Sequence, residues 1–443
     1  MKNGITRRRF LAGTAAAVAG PLIIPARALG RSGHLAPSER IGVGFVGCGA
    51  MNSGHVRRCL ESPETQVVAV CDVNAQKREA MQQRVNEAYA QQDNGGSYSG
   101  CDAYNDFRDM VANQNVDAVY VATPEHWHTL PALAAVRAGK DVFLEKPMTL
   151  TIEEGRVLAD EVKRTGAVFQ HGAQQRSHWE FGRAVELVRN GRIGKLHTIE
   201  VLLFVGGPGG ACTPQDPPDW FDYEMWLGPA PWTPYCPEKC LGVRGWSYIR
   251  DYSGGRITEW GSHHLDIAQW ALDADTTGPT KIEGTGRFGE GTVHNTAYAW
   301  DVNIHFASGE IIRFTDGPEN RLPGQHGDGI RFIGDDGQIG VNRDMIEASR
   351  PEILEELGPD DIRLQTSFNH FENFIECIRS REETICPAET AHRSTSLCHL
   401  TNICLEVGHT VHWNPETEQF IDDDEANALI GRPMREPWAY DAV

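Results

Sequence analysis

The first part of the chain alternates short, almost wholly apolar runs with longer stretches of mixed character. Runs at 41–46, 66–71, 117–123 and 141–144 are rich in Val with Ile, Phe and Tyr, the composition of strands buried on both faces. Helical stretches, 54–60 after the first run and one reaching Gly139 after the third, supply the crossovers. Strand and helix repeated in this way predict a doubly wound parallel sheet with ligands at the carboxyl ends of its strands. Further along the rhythm changes: runs at 195–204, 280–284, 297–305, 310–314 and 329–333 alternate polar and apolar positions, as in a largely antiparallel sheet with one more exposed face. Residues 257–272 read as a helix, and 220–246, rich in Trp and Pro, as a loop. The expected fold class is α/β, with an N-terminal Rossmann domain over 38–168 and a C-terminal α+β domain over 169–443 built on a large, mostly antiparallel open sheet.

Ahead of the first strand stand Thr6-Arg7-Arg8-Arg9-Phe10-Leu11, an Ala- and Gly-rich stretch, and Ala26-Arg27-Ala28. Basic start, mild apolar centre and small-x-small cleavage site read as a twin-arginine export signal over 1–28; a spanning helix needs roughly 20 strongly apolar residues. The expectation is a periplasmic protein without a transmembrane span. Residues 1–28 hold five of the 41 Lys+Arg and none of the 61 Asp+Glu, so the exported chain is more acidic than the overall −20 and repels nucleic acid. Its length predicts two or three domains at roughly 150 residues each. The 11 Cys are scattered; Cys236 and Cys240 form a close pair that reads as a disulfide or as half of a metal site that no second pair completes.

The first strand runs into Gly47-Cys48-Gly49-Ala50-Met51-Asn52. Gly47 permits the turn, Gly49 lets backbone approach a pyrophosphate, and the helix that follows offers N–H groups and positive dipole; Asn52 departs from the third glycine of the fingerprint. The second strand ends at Asp72, where a carboxylate accepts from a ribose diol and repels a 2′-phosphate, so NAD is expected over NADP. Thr123-Pro124-Glu125-His126-Trp127-His128 follows the third strand, and His126 and His128 are expected to pack or hydrogen-bond beside the cofactor. Glu145-Lys146-Pro147 and Glu259-Trp260-Gly261-Ser262-His263-His264-Leu265-Asp266 complete the landmarks, which together imply redox chemistry on a bound nicotinamide. Glu259 and His263 fall on one helix face at i, i+4. No metal is expected. Because a twin-arginine route carries folded proteins, the NAD is expected to be held tightly.

At Glu145-Lys146-Pro147 the chain resembles the Gfo/Idh/MocA oxidoreductase family, with further likeness at 123–128, Gly172-Ala173-Gln174-Gln175-Arg176, Trp226-Leu227-Gly228-Pro229-Ala230-Pro231 and Gly254-Gly255. The resemblance implies Lys146 beside nicotinamide and substrate, and His263 as acid/base. Glu259 stands where the family has Asp, and orients the hydroxyl or His263. It implies cofactor contacts from Gly47, Cys48, Gly49, Ala50, Met51, Asp72, Thr123, Pro124, His126, His128, Glu145, Lys146 and Gln174, substrate contacts from Lys146, Arg176, His263 and His264, and a homo-oligomer, dimer or tetramer. The activity implied is NAD-dependent oxidation or reduction of a secondary hydroxyl of a sugar or glycoside. The alternative is redox-neutral glycoside hydrolysis by oxidation at C3, elimination, water addition and re-reduction. Retention of Asp72, Lys146 and His263 speaks against a non-catalytic sugar-binding protein.

Overall fold

The computed structural model describes residues 35–92, 97–204, 209–240, 242–316, 329–365 and 367–443; the expected export signal lies outside them. Six parallel strands, β1 (Ile41–Val46), β2 (Thr65–Cys71), β3 (Asp102–Tyr104), β4 (Ala118–Val121), β5 (Asp141–Leu144) and β6 (Phe169–His171), pair in the order β3-β2-β1-β4-β5-β6. β1, β4 and β5 are buried at every position, as their unbroken apolar runs require. Helices α1 (Ala50–Glu61), α2 (Ala75–Gln92), α3 (Thr129–Arg137) and α4 (Ile152–Thr165) link the strands. α4 is bounded as its sequence dictates: Thr151 accepts from Glu154 N at 3.2 Å and Gly166 ends it at φ 69°. α1 starts before the expected 54–60, because the glycine turn itself passes straight into helix. β6 belongs to this sheet, so the first domain extends past the expected boundary at 168.

Among the described residues the second sheet has nine strands: β7 (Leu196–Leu203), β8 (Lys281–Phe288), β9 (Ala297–His305), β10 (Ile311–Asp316), β11 (Gly329–Gly334), β12 (Gly337–Val341), β13 (Ile346–Ala348), β14 (Val411–Asn414) and β15 (Gln419–Phe420). Their order is β13-β12-β11-β7-β10-β9-β8-β14-β15, and every pairing is antiparallel except β7 with β10. One face packs on α5 (Trp179–Arg189), α7 (Gly261–Ala271) and α9 (Ala388–Val407). The other carries charge pairs such as Arg331–Glu200 at 2.8 Å and Arg313–Asp301 at 3.4 Å.

The helix expected at 257–272 is two helices, α6 (Arg256–Glu259) and α7, broken at Trp260. α8 (His370–Ser380) and α9 return to the first body. Phe371, Phe374 and Ile375 join Phe45, Tyr120 and Phe143 in its core, while α9 gives Ala388 and Ala391 to the first body and Leu397, Leu400 and Leu405 to the second. The segment expected as a loop contains helical turns at Tyr223–Leu227, Pro237–Cys240 and Val243–Trp246 and a small core of its own around Trp226 and Tyr252. Cys236 is bonded to Cys212, not to Cys240, which is a buried thiol within the Pro237–Cys240 turn. No helix among the described residues is long and apolar enough to cross a membrane.

Candidate active site

Sheet order reverses between β1 and β4, and a cavity of about 690 Å³ opens at that switch point. Gly47 sits at φ +90°, and a Cβ there would lie 2.6 Å from Ala122 O, so only glycine fits. A Cβ on Gly49 would meet nothing within 4 Å, so the turn leaves open space where backbone N–H groups begin α1 without a side-chain cap. Asn52 explains its own departure from the fingerprint. Its Nδ2 donates to Val46 O at 2.9 Å and Gly47 O at 2.7 Å, so the amide fastens the turn that a third glycine would only have accommodated.

Asp72 closes the other end of this wall. Its Oδ2 accepts from Cys48 N at 2.6 Å and its Oδ1 from Asn74 N at 2.8 Å; burial raises its pKa, and those two N–H groups pull against the rise. Gly47, Cys48, Gly49, Ala50, Met51, Asp72, Thr123, Pro124, His128, Glu145, Lys146 and Glu259 all line the cavity. An open glycine turn at a bare helix N-terminus, with a carboxylate at the end of β2, fits the pyrophosphate and adenosine ribose of NAD.

At the reacting end, Glu145 is 3% exposed. His55 Nε2 lies 2.9 Å from its Oε1, and Gln174 Nε2 donates to the same oxygen at 3.0 Å. Burial pushes this carboxyl up, but His55 and Lys146 outweigh it and hold the pKa at about 2, so Glu145 is a fixed anion beneath Lys146. Lys146 Nζ donates to the backbone carbonyl of Glu259 at 2.9 Å. That carbonyl is available because the helix breaks: His263 N bonds Trp260 O at 3.1 Å instead of reaching back to Glu259. The Glu259 carboxylate stays on the cavity wall, 3.8 Å from Arg256. His263, one turn on, does not line the cavity; it is buried against Trp260 with ring centroids 5.7 Å apart, and its Nδ1 has no hydrogen-bond partner among the described residues. Burial, then the charges of Lys146 and Arg343, drive its pKa well down, so the ring is neutral.

Other expected site residues lie elsewhere. Arg176 is not on the cavity: its Nε bonds Asp266 at 2.8 Å and its other two nitrogens bond Asp275 at 2.9 and 2.8 Å, so its guanidinium is consumed by a buried triad. The same pairing occupies Asp266. His264 packs against Phe181 and Trp260, away from the cavity lining. His126 does not face the cofactor wall either, since its Nε2 lies 2.9 Å from Trp226 O, tying the Trp-rich segment to the first body. His128 reaches Pro147 O at 2.7 Å and Thr123 O at 3.0 Å, joining the two loops that carry the site. Gln174 touches Glu145 rather than the cavity.

Sequence reading missed His55, on the buried face of α1, and Glu125, a buried carboxyl on the cavity wall. It also missed that the Trp-rich segment straps the cleft. Phe221, Met225, Trp226, Val243 and Trp246 line the cavity from above. The strap is fastened by Asp222 N to Val73 O at 3.0 Å, Ala75 N to Trp220 O at 2.9 Å and Trp127 Nε1 to Trp226 O at 2.9 Å.

Residues 41–173 match the family described as "Oxidoreductase family, NAD-binding Rossmann fold", and 204–440 match its partner, "Oxidoreductase family, C-terminal alpha/beta domain". The chain belongs to the Gfo/Idh/MocA oxidoreductase family. NAD is accordingly its cofactor. Among curated proteins this family member is 28% identical over 215 residues to a glycosyl hydrolase family 109 protein of Shewanella baltica, a match covering 44% of this chain and 45% of that one. The chain thus spans about half the length of the curated relatives it matches. Among solved structures, the WlbA dehydrogenase from Bordetella pertussis, in complex with NADH and UDP-GlcNAcA, aligns with TM-score 0.62 and 18% identity over 85% of this chain and 99% of that one. The aldose-aldose oxidoreductase from Caulobacter crescentus aligns with TM-score 0.60 and 18% identity, over 84% and 99%. At these identities the alignments establish the shared fold.

Proposed function

We propose that this oxidoreductase acts on a secondary hydroxyl of a sugar or glycoside, with NAD held through the catalytic cycle. The observation that carries the reading is Lys146 Nζ, held by a backbone carbonyl on the cavity wall, with the buried, neutral His263 within electrostatic reach of it. NAD, when bound, accepts the carbinol hydride and can return it. The chain has to receive the O–H proton and hold the oxygen as it becomes a carbonyl. With one N–H docked on Glu259 O, Lys146 keeps its remaining Nζ hydrogens for the substrate oxygen; the O–H proton is assigned to His263 by the family motif, although that ring does not line the cavity and burial makes it a weak base. A base placed in this way contributes roughly 10²–10⁴-fold.

Redox-neutral glycoside hydrolysis is the second reading. The relatives named glycosyl hydrolase family 109 favour it, as does the strap, since a covered cofactor suits a hydride that leaves and returns within one visit. Periplasmic export is part of the proposal. The Cys212–Cys236 bond supports it, because disulfides persist in oxidising compartments. The decisive experiment mixes protein as purified, without added nucleotide, with a panel of 4-nitrophenyl glycosides and free sugars, following nitrophenol and absorbance at the NADH band. Nitrophenol without net NADH establishes the hydrolase; NADH and keto-sugar without bond cleavage establish the dehydrogenase; neither, across the panel, rejects both.

A further inference from the structure

One buried carboxyl on the cavity wall has no part in the chemistry above. Glu125 follows β4 on the first body, is 2% exposed, and reaches across the cleft to the second. Its Oε1 accepts from Ser253 Oγ at 2.6 Å and its Oε2 from Gly254 N at 2.9 Å and Thr258 Oγ1 at 3.2 Å. All three donors belong to the entry or first turn of α6. The opposite end of this single helical turn is the Glu259 carbonyl that receives Lys146 Nζ. Two residues of the first body, Glu125 and Lys146, therefore grip α6 at its two ends.

We infer that Glu125 is a positioning residue for Lys146: by clamping the start of α6 it fixes the carbonyl on which the lysine's ammonium docks. Four residues of helix do not hold a fixed orientation unaided, because an isolated turn is far below the length at which helices are stable. α6 has no side-chain cap of its own: Gly255, at φ +77°, precedes it with no side chain to offer. Glu125 fills that role from another domain. Its position is itself rigid, since the loop behind it is fastened by His126 to Trp226 O and by His128 to Pro147 O, one residue beyond Lys146. Burial lifts the Glu125 pKa to about 7, against the pull of Ser253, Gly254 N–H and Lys146. A carboxyl kept in so costly a place is consistent with three donors that would otherwise lose their acceptor.

The inference rests on Lys146 lying at the reacting centre, so its test is independent of turnover. The full-length protein with bound NAD is pulse-labelled with a limiting acetylating reagent, and the Lys146 peptide is quantified by mass spectrometry against that of Lys281, on the second sheet. Glu125→Ala should raise Lys146 labelling about fivefold relative to Lys281, the population change expected from losing a held hydrogen bond. Glu125→Gln, whose amide oxygen still accepts from the hydroxyls, should recover most of the protection. A Lys146 ratio within twofold of wild type in folded Glu125→Ala overturns the inference, even if its melting temperature has fallen. Should Glu125→Ala fail to fold, Thr258→Val removes one donor alone; it should give a smaller rise, and an unchanged ratio there also overturns it. Because labelling needs no substrate, loss of protection in a protein inert towards every sugar would reject the proposed activity and keep the clamp.

Discussion

Lys146 gives its hydrogen bond to the main chain, with the Glu145 carboxylate as a charged neighbour. Its acceptor is a main-chain oxygen that a break in the helix exposes. Lys146→Ala should therefore lower turnover of any active glycoside roughly 10²–10⁴-fold while bound NAD, read from the spectrum of the purified protein, stays unchanged. Glu259→Gln keeps the docking carbonyl, so its effect on turnover should be smaller than that of Lys146→Ala; an equal loss would show that the carboxylate, not the backbone, does the orienting. That Gly47, Gly49 and Asp72 line the cavity was legible in the sequence because local chain geometry fixes their positions, at a turn, an open approach and the end of a strand; Lys146 was placed there by the family motif. Arg176 and His264 were not, because their roles depend on partners distant in sequence, Asp266 and Asp275 for the one and Phe181 for the other. His55 was hidden because one His on a helix face carries no signal until β5 brings Glu145 beside it.

Between motifs the buried parallel strands were the easiest elements to read, since unbroken apolar runs bounded by turns have few alternatives. The break at Trp260 was not readable: no Pro marks it, and the i, i+4 spacing of Glu259 and His263 suits a continuous helix equally well. The strap was read as loop because its helical turns are too short to show periodicity. Its Cys212–Cys236 bond closes a segment with sequence separation 24 that carries Phe221, Met225 and Trp226 of the cavity lining. Reduction with dithiothreitol, or Cys212→Ser with Cys236→Ser, should accelerate loss of NAD on gel filtration, because the open strap regains chain entropy that the bond had removed, about 3 kcal/mol for a loop of this size. Retention equal to that of the oxidised protein would mean that the backbone bonds to Val73 and Ala75 hold the strap unaided.

At the scale of the whole molecule, the two-domain plan was visible in the change from unbroken to alternating runs, but the return of α8 and α9 to the first body was not, as nothing local says which core an amphipathic helix will join. The interior is rich in neutral imidazoles. Burial holds His126, His171 and His264 at about 3 and His370 and His399 at about 4, all below the ordinary 6.5. Below pH 6.5 the unfolded chain binds protons that the folded chain refuses, so each of these rings contributes stability that is lost as pH falls from 6.5 toward those values. Glu125, raised to about 7, acts in the opposite sense between its ordinary 4.5 and 7, as do Asp72 and Asp266, which burial also raises, but the neutral rings are the larger set. The melting temperature should consequently drop steadily from pH 6.5 to pH 4, as calorimetry would show; a flat profile would contradict the buried, neutral state of these rings.

The shared helices also determine how the gene can be cut. Residues 41–173 contain a complete six-stranded sheet, yet Phe45, Tyr120 and Phe143 are covered by Phe371, Phe374 and Ile375 of α8, supplied from some two hundred residues downstream. Expressed alone, that fragment should aggregate or bind a hydrophobic dye. Co-expressed with a second fragment carrying α8 and α9 it should become soluble, so the molecule is better suited to split-protein complementation than to domain excision.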